Sequence, residues 1–262
     1  MGSAPRRPHL SLNTYHMKKR KDELHAHDSE VPQRALLFTA HPDDHLLCAG
    51  TLLLLKERGF AVTEVVFTGG EQSVWLGADA IHNDQEALKE KRKTELSKAS
   101  RILGIGSTLF LGEPDSEVTR SLNLIHRIMA IIRDVRPSII LTLHYNDYHP
   151  DHRAVATIVP EAVDRASWSI APHLGVAHHT AALLHTDGEY PCRADFTVDT
   201  SPFEKDIEKA MGAYGSQMGE RHKQLMRSMR AHRGFFQRTK AAEAFEIAER
   251  HPINLQLLSL IS

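Results

Sequence analysis

The chain has 262 residues, with 32 Lys and Arg against 33 Asp and Glu and a formal net charge of -1. That balance gives no global attraction to nucleic acid or to an anionic membrane, and the length suits one α/β domain with a sizeable core better than two small ones. Two cysteines, Cys48 and Cys192, cannot make a disulfide framework; with no signal-peptide core and no apolar run of spanning length, a soluble, cytoplasmic protein is expected.

Residues 1–33 read as a polar, basic N-terminal tail (Arg6, Arg7, Lys18 to Lys21), and acidic neighbours such as Asp22 and Glu23 argue against a nucleic-acid arm. The rest, 34–262, reads as one domain. Ala35–Ala40 is expected to be a buried strand and Leu46–Arg58 a helix closed by Gly59. Ala61–Phe67 is a second β-branched strand running into Thr68-Gly-Gly-Glu71. A loop with Trp75 follows, then a charged helix over Asp84–Leu103 stopped by Gly104. Ser107–Leu111 is a short strand, and Val118–Val135 a helix ended by Pro137. Ser138–Leu143 is a strand, and Ala154–Trp168 is helical with Pro160 as a kink or end. Ala181–Thr186 and Asp195–Val198 read as later strands, and Phe203–Tyr214 and Gln217–Arg230 as helices. Leu255–Ile261 is either a last strand or an oligomer contact. Strands separated by helix-length segments imply a single-domain, Rossmann-like α/β fold with a mostly parallel sheet flanked by helices.

Two polar packets share one layout, each after a strand and before a helix: His41-Pro-Asp-Asp44 and His149-Pro-Asp-His152. On parallel strands both lie at the carboxyl edge of the sheet, where ligands bind in open α/β folds. Taken alone, the first packet is equally well a turn whose aspartates cap the next helix. The second packet tips the reading towards a site. His, Asp and His suit zinc, and three protein ligands with one open position define a hydrolytic site. His41, Asp44 and His152 are the expected ligands, leaving Asp43 as the base. Water, with a pKa of roughly 15.7, is out of reach of a carboxylate near 3.9, whereas zinc brings it to about 7.

The ordered set Ala40-His-Pro-Asp-Asp44, Thr68-Gly-Gly-Glu71, Arg92-x-x-Glu95, Arg101-Ile-Leu-Gly104, Pro114-Asp115, Asn146-Asp-Tyr-His-Pro-Asp-His152 and Tyr214-Gly-Ser-Gln217 resembles the zinc-dependent de-N-acetylases of the PIG-L and LmbE type. The resemblance implies hydrolysis of an N-acetyl group on an amino sugar or its conjugate, with Zn2+ on His41, Asp44 and His152 (Fe2+, Co2+ or Mn2+ as alternatives). It implies Asp43 as base, His149 polarising the carbonyl, Asp151 orienting His149, and Arg92, Glu71 and Asp147 near the substrate. The family's usual residue after the two aspartates is Glu; here it is His45.

Competing readings are a salt-bridged surface for Arg92, a turn cap for Glu71 and turn chemistry for Asp115. His178 and His179, being adjacent, point apart. Two other functions compete: an amidase of the same fold acting on a larger acyl-amide, such as a thiol-sugar conjugate or an antibiotic, and a non-catalytic metal- or carbohydrate-binding protein. A small N-acetylated sugar is the expected ligand, and the resemblance implies a homo-oligomer, for which Leu255–Ile261 is a candidate contact.

Overall fold

The β-branched and aliphatic run after Gln33 makes a strand, β1 (Arg34–Thr39), whose residues from Ala35 on are all buried. Side chains alternate across a strand, so Ala35 and Leu37 enter one core while Leu36 and Phe38 enter the other. A computed structural model describes residues 33–73, 84–188 and 190–248. The basic tail to residue 32, the Trp75 loop and Leu255–Ile261 lie outside the described residues.

The elements follow as α1 (Ala49–Glu57), β2 (Ala61–Thr68), α2 (Gln85–Leu103), β3 (Ile105–Glu113), α3 (Leu122–Val135), β4 (Ile139–Thr142), α4 (Pro150–Ser167), β5 (Ala182–Thr186), β6 (Phe196–Asp199), α5 (Glu204–Gly212), α6 (Glu220–Gln237) and β7 (Ala242–Ile247). They build one seven-stranded sheet in the order β3-β2-β1-β4-β5-β7-β6. The first five strands of that order pair in parallel and the last two pairings are antiparallel. Helices α1, α2 and α5 share one core with one face of the sheet; α3 and α4 share the other. This is the single, mostly parallel α/β domain the alternation implies.

Strand order reverses at β1: β2 lies on one side and β4 on the other. The carboxyl ends of β1 and β4 therefore frame the crevice in which open α/β sheets bind ligands. Both polar packets leave the sheet there.

Local chemistry explains several boundaries. Asp84 and Ser121 accept from Ala87 N and Leu124 N and so start α2 and α3, which puts the start of α3 after the expected Val118. Helix α4 begins earlier than expected, because His149 caps it and Pro150 occupies the first turn, where no amide donor is needed. It also runs through Pro160, so of the expected kink or end the proline makes no end. Val155, Ile158, Val159, Ala162 and Val163 are buried along it, and their packing outweighs a lost bond of about 3 kcal/mol.

Strand β7 was not expected, since Ala-Glu-Ala-Phe-Glu-Ile carries two helix-favouring glutamates. Glu243 from this strand is buried and accepts from Gly50 N (2.7 Å), Thr51 N (2.8 Å) and Thr51 Oγ1 (2.7 Å). It thereby caps α1, whose own N-cap residue, Cys48, makes no capping bond. Glu243→Ala should lower unfolding stability by about 2–4 kcal/mol in denaturant melts, because it orphans buried donors; a loss below about 0.5 kcal/mol would refute the cap.

Candidate metal centre

The turn after β1 is folded by its own second aspartate. Asp44 Oδ2 accepts from the backbone N–H of Ala40 (2.9 Å) and His41 (2.8 Å), which bends the chain back over the strand end. Its other oxygen, Oδ1, lies 3.2 Å from His152 Nε2 at the start of α4. His41 Nδ1 is 3.2 Å from the same His152 nitrogen and 3.6 Å from Asp44 Oδ2. Residues 111 positions apart thus bring three donor atoms to one point.

The far nitrogen of each ring is held by a carboxylate. His152 Nδ1 donates to Asp147 Oδ2 at 3.0 Å. His41 Nε2 faces Asp115 Oδ1 at 3.2 Å and Asp151 Oδ2 at 3.4 Å. With those nitrogens donating, the lone pairs of His41 Nδ1 and His152 Nε2 point at each other and at Asp44. Such a cluster is repulsive unless a cation or proton lies within it. The titration of the residues agrees. Burial pulls His152 down, but the Asp44 charge and the hydrogen bonds to Asp147 and Asp44 outweigh it and push the pKa up to about 10. His41 is raised in the same way, against its burial, by Asp115, Asp151 and Asp44. Burial pushes Asp44 up, and His152 and His41 hold it well below the carboxylate range.

The donor set fits a zinc-type ion. Four donors about 2.0–2.1 Å from zinc at tetrahedral corners lie roughly 3.3 Å apart, and His152 Nε2 lies 3.2 Å from both His41 Nδ1 and Asp44 Oδ1. His149 also reaches the cluster, its ring centroid 4.6 Å from that of His41 and 5.0 Å from that of His152. Among the described residues, two other groupings around His41 also bring ligand atoms within reach of one ion: His41 with His149 and His152, and His41 with Asp115 and Asp151. In the first, His149 Nδ1 is already committed, accepting from Asp151 N at 3.2 Å. In the second, the carboxylates also take backbone N–H groups of Gln72, Ser116 and Val118.

Asp43 stands at the rim, where Arg92 Nη2 donates to its Oδ1 at 2.5 Å. Arg92 is buried and also donates to Gly70 O (2.9 Å) and Ser73 Oγ. The surface-salt-bridge reading is wrong for it. His149 is held below the ordinary imidazole range, by its burial first and by His41 and His152 next. It is neutral, and because Nδ1 accepts, the proton is on Nε2.

Two expected roles fall differently. Asp151 binds Ser116 N and Val118 N and faces His41, so it orients His41 and not His149; its link to His149 is through its backbone. Asp147 gives one oxygen to His149 N (2.9 Å) and the other to His152, which engages both oxygens within the protein. Glu71 supports the turn by accepting from Asp115 N, leaving Oε2 buried and unpartnered. Asp115, read from sequence as turn chemistry, is a partner of His41. The site opens into a cavity of about 260 Å³, with Leu47, Met218, Leu225, Met226 and Met229 facing the polar floor.

Fold and donors define an open α/β domain with a His/Asp metal-type centre at its switch point. Residues 36–163 match the family model described as PIG-L, GlcNAc-PI de-N-acetylase. It is 34% identical over 139 residues to a probable N-acetyl-alpha-D-glucosaminyl L-malate deacetylase 2 of Bacillus cereus, a match covering 52% of this chain and 63% of that protein. The chain spans about three fifths of the length of the curated relatives it first matches. Among solved structures it is similar to a conserved protein from Thermus thermophilus, with TM-score 0.73 and 28% identity, covering 84% of this chain and 96% of that one. GalB, the 4-carboxy-2-hydroxymuconate hydratase from Pseudomonas putida, shares the fold with TM-score 0.75 at 19% identity, covering 85% of this chain and 98% of that one.

Gly70 is where this architecture is least forgiving. Its φ is +68°, and an added Cβ would lie 2.0 Å from Arg92 Nη1. Gly70→Ala should destabilise the fold by about 1–3 kcal/mol and displace Arg92 from Asp43; an unshifted thermal midpoint would show that the turn tolerates the strain.

Proposed function

We propose that the chain is a metal-dependent amidohydrolase that removes an N-acetyl group from an amino sugar or amino-sugar conjugate. The observation that carries this reading is the convergence of His41 Nδ1, His152 Nε2 and Asp44 Oδ1 in the cavity that the carboxylate of Asp43 also lines. The match to the PIG-L family model and the likeness to the Bacillus cereus deacetylase support the substrate class. His41, Asp44 and His152 hold zinc in this reading, and two buried free thiols suit a reducing, cytoplasmic setting. Among the described residues no helix is long and apolar enough to cross a membrane.

Bound there, zinc acts as a Lewis acid towards the carbonyl and lowers the pKa of water to about 7. The protein's residues divide the remaining work. Asp43, fixed by Arg92 on one oxygen, takes the proton from the attacking water and returns it to the leaving amine. His149, neutral with its proton on Nε2, donates to the carbonyl oxygen as negative charge develops there. Asp147 behind His152, and Asp115 with Asp151 behind His41, hold the rings in the tautomers that present their lone pairs. Glu71, placed behind the Asp115 turn, acts on substrate only through that turn.

A second reading has its own support: the acyl group or the amine portion is larger and apolar. Three of the chain's seven methionines, Met218, Met226 and Met229, line the wall with Leu225. Methionine surfaces adapt to irregular apolar groups.

Acetate release from N-acetylated sugars, sugar–malate and sugar–inositol conjugates tests the main reading. Activity should vanish with a chelator and return with zinc or cobalt. Asp43→Asn should keep its metal and lose about 10²–10⁴-fold in kcat; a fully active variant would sink the base assignment. His152→Ala should bind less zinc by elemental analysis, and unchanged stoichiometry would strike it from the ligands. Replacing acetyl by octanoyl separates the two readings: a higher kcat/KM for the longer chain would favour the apolar substrate.

A further inference from the structure

Behind the His41–Asp44 turn runs a polar chain of residues, none of which lines the cavity. His45, Glu64 and Tyr214 each have 0% exposure. His45 Nδ1 lies 3.1 Å from both oxygens of Glu64, and its Nε2 lies 2.8 Å from Tyr214 Oη. Tyr214 Oη is 2.5 Å from the carbonyl oxygen of Pro42. Thr39 Oγ1 adds a donor to Glu64 at 3.3 Å. A fully buried acid on a central strand is costly unless its bonds are made, so Glu64 is informative.

Counting protons gives these bonds a direction. The Pro42 carbonyl can only accept, so the Tyr214 hydroxyl proton goes to it. The tyrosine oxygen is then the acceptor for His45, whose Nε2 must carry a hydrogen. Nδ1 and the Glu64 carboxyl share one further proton, whichever of the two holds it. Every bond from the imidazole onwards therefore points towards the Pro42–Asp43 peptide. That peptide carries the residue gripped at its other end by Arg92.

We propose that Glu64, His45 and Tyr214 form a positioning relay that fixes the Pro42–Asp43 peptide plane and so aims the Asp43 carboxylate. The inference rests on the reading of Asp43 as the base. Glu64 holds the His45 ring in place through Nδ1, His45 orients the Tyr214 hydroxyl, and the hydroxyl holds the peptide. None of the three meets substrate.

Two arms test this on the full-length, zinc-loaded protein. The first needs no substrate. In 15N-histidine-labelled protein, the His45 signal, assigned by its loss in His45→Asn, should show a slowly exchanging Nε2–H that moves upfield in Tyr214→Phe. An unprotonated Nε2 overturns the relay. The second arm is kinetic. Tyr214→Phe and Glu64→Leu should each lower kcat about 10–100-fold with KM within roughly twofold and zinc content unchanged. The double variant should be no slower than the slower single, because both act through one peptide. Wild-type kcat in Tyr214→Phe, or losses that multiply, overturns the proposal. Should wild-type protein cleave no amide, the deacetylase reading fails, and the Nε2–H arm still decides whether the relay exists.

Discussion

Everything at the sheet edge depends on one enforced repulsion. His41 Nδ1 and Asp44 Oδ1 are each held 3.2 Å from His152 Nε2, and none of the three groups is free to turn away. Asp44 is tied by two backbone amides, His152 by Asp147, and His41 by Asp115 and Asp151. In a dry site such a cluster stores an electrostatic demand for a cation. The upward shift of His152 to about 10 expresses the same demand, met by a proton.

Meeting that demand takes parts from many segments. The ligating atoms follow β1 and open α4, while their supports come from the turn after β3 and the loop after β4. The supports are themselves secured by backbone donors: Ser116 and Val118 amides on Asp151, Gln72 N on Asp115, His149 N on Asp147. Asp151, which accepts two such bonds, is the most firmly held of the three. Asp43 is different, because its restraint is a side chain, Arg92, which reaches it across the glycine turn after β2.

Strand and helix periodicity, together with two packets at strand ends, made the fold and the converging residues legible in the sequence. What stayed hidden has a common cause. Which carboxylate serves which histidine depends on the directions in which chain segments approach, and spacing does not encode those directions. Asp151, two residues from His149, turned out to serve His41, and Asp147, five residues before His152, serves His152. Asp115 looked like a turn residue and is one, but the turn carries it to His41. Glu64 gave no signal: an acid in a β-branched strand reads as outward-facing, and here a histidine nineteen residues earlier makes it an inward one. Strand β7 was obscured by composition, since its glutamates look helical until Glu243 is seen capping α1.

A fold of this kind does not select its reaction. A hydratase shares it at 19% identity, so the choice of chemistry rests on the groups at the switch point. Three features bear on it. The metal-type donors line the cavity, the Asp43 carboxylate lines it with them, and so does His149, a neutral imidazole with its proton on Nε2. A carboxylate and an N–H donor around a polarising centre suit attack by water on a carbonyl. Met218, Leu225, Met226 and Met229 line the same cavity as these polar groups, so whatever enters it meets an apolar surface and a charged one together.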